Sequence, residues 1–353
     1  MLEMKARYKK HILNFKRPSG TSRGIMTQKE TWFLCLESNG KKGFGECGLL
    51  RGLSIDDTED YEEKLKWLCD HIYLGADQLK PELKYHPSIQ FGLEQALRSL
   101  RAQTPFELFP SNFTEAESPI TINGLVWMGD KQFMFHQIEE KLKNGFSCIK
   151  MKIGAIDFEE EINLLRHIRN RFNADTIELR VDANGAFSIT TALEKLERLS
   201  AFDIHSIEQP IRQNQWHEMA KLCERSPIPI ALDEELISVV DVTKRHELLQ
   251  TIMPQYLILK PSLLGGFEAS EDWISKADDL GIGWWVTSAL ESNIGLNAIA
   301  QWTYTLNSKM PQGLGTGALF TNNIDSPLQV ADGQLFYRKG VTWPENIHNI
   351  LCT

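Results

Sequence analysis

Apolar and polar residues alternate at the start of the chain. ARYKKHILNF and TWFLCLES both read as half-buried strands. Asn39-Gly40 follows the second as a hairpin turn, and GFGECGLL reads as a further short strand. The period then changes to a helical one, from Asp56 to His71 and again from Pro87 to Gln103. The first ~115 residues therefore predict an α+β module with antiparallel strands.

A Pro-, Ser- and Glu-rich stretch, PFELFPSNFTEAESP, closes that module. From Ser118 strand-like and helix-like segments alternate. SPITINGLVW precedes a helix over Asp130–Asn144, and CIKMKIG one over Asp157–Phe172 with Phe158, Ile162, Leu165 and Ile168 on one face. IELRVDANG precedes Ser188–Leu199, for which Ser188 is a natural cap. IHSIEQP, IPIALDEE, LILKPS and WWVTSALES precede helices over Gln215–Glu224, Val239–Leu249, Gly266–Leu280 and Ile294–Tyr304, and GLGTG completes the series. Eight strands and seven helices predict an α/β fold, a (β/α)7β TIM-like barrel over 118–320, with residues 1–117 as an α+β capping domain. The tail, 321–353, looks antiparallel again and is expected to return to the capping domain.

Five of the strand candidates end on Lys152, Asp182, Glu208, Asp233 and Lys260, at steps of 30, 26, 25 and 27 residues. That is the length of one strand plus one returning helix, and a barrel carries its chemistry where the strands end. Lys150 and Lys152 are two apart, so both point to one face; on an edge strand they would be exposed, and inside a barrel each needs an anionic partner. A single strand-end acid reads as a helix cap or turn former. Three on successive strands form an all-oxygen set suited to a hard cation, Mg²⁺ or Mn²⁺ in its place, with coordination positions left for substrate. Asn184 and Gln209 stand beside these acids as supports, whereas Glu234 and Glu235 read as charge at a helix start.

Composition narrows the partners. A formal net charge of −9 argues against nucleic acid and anionic membrane, and 42% hydrophobic residues support a sizeable core. The six cysteines, Cys35, Cys47, Cys69, Cys148, Cys223 and Cys352, form no CxxC pair. They read as free thiols with neither a zinc site nor a disulfide framework. No leader or membrane span is legible, so a cytoplasmic protein acting on a small carboxylate is expected, with a homo-oligomer left open.

The set KMK, RVDAN, IEQP, ALDEE and LKPS resembles the enolase superfamily in its muconate-lactonising subgroup, along essentially the whole chain, including the GFGEC strand. The resemblance implies that Asp182, Glu208 and Asp233 bind Mg²⁺ and that Lys152 and Lys260 flank a substrate carboxylate whose α-proton is abstracted. TSALESNIG lacks the acidic DxD element of dipeptide epimerases and is similar to the SxxES..G pattern of the o-succinylbenzoate synthase family. That family dehydrates a succinyl-hydroxycyclohexadiene carboxylate in menaquinone synthesis. Lys152 would then move the proton and Lys260 would act as a cation. Lys150, Arg180, Ser288, Glu291, Ser292, Gly313 and Leu314, with Gly315 beside them, would contact substrate, and Asn184 would support the metal. Loops around Ser19–Arg23 and Leu50–Ser54 are expected to close over the tail. N-acylamino-acid racemization is the runner-up and muconate-type cycloisomerization third. A barrel that only binds is disfavoured, since all five positions are filled.

Overall fold

The computed structural model describes residues 4–21 and 24–352. Three antiparallel strands, β1 (Lys5–Thr21), β2 (Gly24–Ser38) and β3 (Lys41–Cys47), form the first sheet in sequence order. Alternation on β2 sends Trp32, Leu34 and Leu36 to one side and Phe33 and Cys35 to the other, and both sides are buried. The first side packs on helices α1 (Tyr61–Asp70) and α2 (Pro87–Arg101). β3 lies almost against α2: a Cβ at Gly45 would sit 1.9 Å from the Gly92 carbonyl oxygen, so this position admits only glycine.

A two-residue strand, β4 (Ile120–Thr121), leads into the barrel. Its parallel strands are β5 (Gly124–Val126), β6 (Cys148–Lys152), β7 (Glu178–Asp182), β8 (Ser206–Glu208), β9 (Ile230–Leu232), β10 (Tyr256–Leu259) and β11 (Gly283–Val286), hydrogen-bonded in that order. The returning helices are α3 (Lys131–Lys143), α4 (Phe158–Arg171), α5 (Ile189–Leu199), α6 (Trp216–Arg225), α7 (Val242–Ile252), α8 (Phe267–Asp279) and α9 (Asn293–Thr305). Several open on a capping side chain, with Asp130, Asp157, Ser188 and Asp241 each accepting a backbone N–H of the first turn. The expected eighth strand is reduced to bridges: residue 312 pairs with Ile122 and Gly313 with Thr287, which closes the barrel between β11 and β5. A Cβ on Gly313 would meet Thr287 Oγ1 at 2.3 Å, so the closure depends on a bare backbone there.

The tail divides. Its hairpin, β12 (Leu328–Ala331) and β13 (Gln334–Tyr337), pairs with β4 at the start of the barrel instead of returning to the capping domain. The apolar edge at Ile120 takes Leu335 there, and both side chains are buried. The last helix, α10 (Ile347–Cys352), does reach the cap: Leu351 joins Phe33 and Phe44, and Lys9 Nζ donates to the Ile350 carbonyl. Cys352 is disulfide-bonded to Cys35, a correction to the expectation of six free thiols. The pair is 317 residues apart in sequence and 6.0 Å apart between Cα atoms, so only the return of the tail brings the sulfurs together. Cys47, Cys69, Cys148 and Cys223 are free. No described helix is long and apolar enough to cross a membrane.

Candidate active site

Register assembles the site. Lys152 pairs with Asp182 and Asp182 with Glu208, while Glu208 pairs with Ala231, two residues before Asp233. The side chains therefore project from neighbouring strand ends into one interior. Lys150 Nζ donates to Glu208 Oε2 at 2.5 Å and lies 3.0 Å from Asp182 Oδ2. Lys152 Nζ donates to the same Asp182 oxygen at 3.0 Å and to Asn184 Oδ1 at 2.6 Å. Lys260 is paired with Asp233 on the far side.

Burial and charge pull against each other here. Burial alone would raise the Asp182 carboxyl, but Lys150, Lys152 and Lys260 outweigh it and hold it well below the usual range. Asp233 is likewise lowered, mainly by Lys260. Glu208 goes the other way: burial, then Asp182, pushes its carboxyl up. Burial lowers Lys150 and Lys260, but the acids facing them more than reverse this and keep both cationic.

The turns behind the acids are shaped for this. Asn184 and Gln209 adopt φ of 44° and 41°, so the chain leaves both strands through the left-handed region. Gln209 Oε1 accepts from the backbone of Asp233 and Glu235, and its Nε2 donates to Glu235 Oε2 and the Ile211 carbonyl. Asn184 donates to Glu234 Oε1 at 2.9 Å, and Glu235 accepts from Asn214 N. Glu234 and Glu235 do stand at a helix start, but both are buried and brace the acids, a role their position in sequence did not disclose.

A cavity of about 390 Å³ opens above. Lys150, Lys152, Asp182, Asn184 and Lys260 form its floor, with Ser288, Gly313 and Gly315 on one wall. Glu208 and Asp233 stand behind that floor. The capping domain contributes Ser19, Met26, Leu50 and Leu53; Ser22 and Arg23 of the expected first loop lie outside the described residues. Trp127, whose ring is 6.0 Å from Lys152 Nζ, was not anticipated, although it ends the first barrel strand in phase with the other site residues. Gln137 fixes it by accepting from Trp127 N and donating to Trp127 O, each at 3.0 Å. A charged floor under apolar walls suits a small organic anion with an apolar body.

Four residues expected to contact substrate do not line the cavity. Arg180 shares the face of Asp182 but lies one layer deeper, bonded to Glu178 and the Pro311 carbonyl, with its guanidinium 4.0 Å from the Trp285 ring. Leu314 is in the barrel core. Glu291 and Ser292 are fully buried and bond to Ser262 and to Glu46 of the cap.

No group of three or more described His, Cys, Asp and Glu side chains converges tightly enough to hold a metal as the side chains now stand. Lysines occupy the intervening space instead. Even so, the donors fit a hard cation: three buried carboxylates on adjacent strands, with Glu208 Oε1 buried and lacking any hydrogen-bond partner.

The family described as enolase C-terminal domain-like matches residues 134–341. The o-succinylbenzoate synthase of Desulfotalea psychrophila is 48% identical over 367 residues, covering 95% of this chain and 99% of the relative. The crystal structure of MenC from the same organism superposes with a TM-score of 0.84 at 45% identity, covering 94% of this chain and 99% of that one. The muconate lactonizing enzyme from Pseudomonas fluorescens gives a TM-score of 0.84 with full coverage of both chains at 21% identity, and so shares the fold.

Proposed function

The chain belongs to the enolase C-terminal domain-like family, and we propose that it is an o-succinylbenzoate synthase, a hydro-lyase. It dehydrates 2-succinyl-6-hydroxy-2,4-cyclohexadiene-1-carboxylate to o-succinylbenzoate through an enediolate, for menaquinone synthesis in the cytoplasm. The reading is carried by the floor of the cavity, where Lys152 and Lys260 stand on two sides of Asp182, Glu208 and Asp233 under apolar walls.

Asp182, Glu208 and Asp233 would hold Mg²⁺, or Mn²⁺ in its place. When bound, the cation supplies positive charge opposite the substrate's ring carboxylate, where negative charge develops. Lys152 takes the proton from the carbon bearing that carboxylate, and the C–H electron pair moves into the enediolate. Asn184 and Trp127 hold Lys152 Nζ at the floor, where its neutral amine takes the proton and becomes the ammonium that serves the second transfer. Lys260 stays cationic beside the developing charge, in keeping with its acidic surroundings. The pair then returns to the ring and expels the hydroxyl on the neighbouring carbon. Lys152 gives its proton to that oxygen, water leaves, and the ring is aromatic. One lysine serves both transfers because the proton and the hydroxyl leave adjacent carbons.

The racemase reading would use the same two lysines as opposed bases. In D₂O the synthase reading expects the diene to yield o-succinylbenzoate by mass, with negligible α-deuteration of N-succinyl amino acids. Deuteration from both enantiomers without conversion of the diene would replace it with the racemase.

A further inference from the structure

The segment after β11 was read as substrate-binding, yet its polar side chains point into the capping domain. Glu46 on β3 is fully buried and accepts four hydrogen bonds. One comes from Thr31 Oγ1 on β2 at 2.8 Å. The others cross the domain boundary, from Ser292 N at 2.8 Å, Ser292 Oγ at 2.5 Å and Gly295 N at 2.8 Å. A capping-domain carboxylate thus caps the first turn of α9, a barrel helix 13 residues long. Glu291, also fully buried, accepts from Ala289 N at 2.7 Å and from Ser262 Oγ, in the turn directly behind Lys260.

Lys29, 4% exposed, has no hydrogen-bond partner for its Nζ, and burial lowers its ammonium against the opposing charges of Glu46 and Glu291. What this cluster holds is the cavity itself: Ser288, Ala289 and Leu290 line it, and Leu290 sits at φ 64°, a conformation a branched residue keeps only when its neighbours impose it.

We propose that Glu46 is a positioning residue that fixes the 287–290 wall of the cavity from the capping domain. On the synthase reading, which also supplies the substrate of the kinetic test, the wall would meet the substrate body and contribute equally to ground-state and transition-state binding.

Glu46→Gln keeps the shape and removes the charge. It is expected to raise KM about tenfold with kcat within about twofold. Amide hydrogen exchange across residues 287–295 is expected to quicken by about tenfold or more. If Glu46→Gln does not fold, Thr31→Val removes one of the four donors and should move both readouts the same way by less. A lower Tm with wild-type KM and wild-type exchange at 287–295 would overturn the proposal and leave Glu46 merely structural. The exchange comparison needs no substrate, so failure of the unsubstituted chain to convert the diene would count against the synthase reading alone.

Discussion

Lys150 and Lys152 leave the same strand on the same face and do different work. Lys150, the deeper of the two, is spent on Asp182 and Glu208, while Lys152 shares Asp182 with Asn184 at the cavity floor. Burial pushes the Glu208 carboxyl up, and its second oxygen is without a partner. Glu208→Gln is isosteric and should fold, so its circular dichroism should match that of the unsubstituted chain. Its Mg²⁺-dependent turnover should fall at least about 100-fold; unchanged turnover would remove Glu208 from the metal set. Lys152→Ala should cost about 10²–10⁴ in kcat, the usual worth of a positioned proton carrier, measured by appearance of o-succinylbenzoate. Sequence disclosed these residues because a strand end repeated at constant period marks both face and height. It could not disclose depth for Arg180, which has the right phase but lies two residues, about 6.6 Å, further down the strand. Ser292 and Glu291 eluded it for another reason, since Ser292 bonds to Glu46, 246 residues away, and Glu291 to Ser262 on the preceding barrel turn.

Helices and strands were legible where their signals are local. Ser188 caps the helix it precedes, as its position implied. The first helix starts at Tyr61, not Asp56, because Asp56 turns away to accept from the backbone and hydroxyl of Ser88 at the start of α2. That side chain is 0% exposed, and burial pushes its carboxyl up to about 6. The native state then holds a proton that the unfolded chain, titrating near 3.8, has already released. Stability from this group is therefore full below the unfolded value and is lost as pH rises through about 6. Between about pH 5 and 8 the loss is roughly 1 kcal/mol. Asp56→Asn cannot titrate, so urea unfolding should show a flatter pH dependence for this variant; equal slopes would contradict the assignment. The eighth strand was expected at full length and is present only as bridges, because GLGTG offers few side chains to pack.

The whole molecule is a barrel with a cap laid over the ends of its strands, and the cap supplies apolar wall while the barrel supplies charge. This division was readable from the change of period near Ser118. The path of the tail was not, because the chain that receives β12 and β13 is a two-residue strand. Nor could spacing reveal that Cys35 and Cys352 meet. Closing so long a loop constrains the unfolded chain, so reductant should lower Tm by about 2–5 °C. Identical melting curves with and without reductant would argue against the bond in solution. The central claim is that the two lysines and three acids on the barrel rim dehydrate a cyclohexadiene carboxylate. Its most direct test is the absorbance of that diene under purified chain loaded with Mg²⁺. Steady loss of diene absorbance is expected, abolished by chelation and restored by added Mg²⁺; a folded, Mg²⁺-loaded chain that leaves the diene untouched would contradict it.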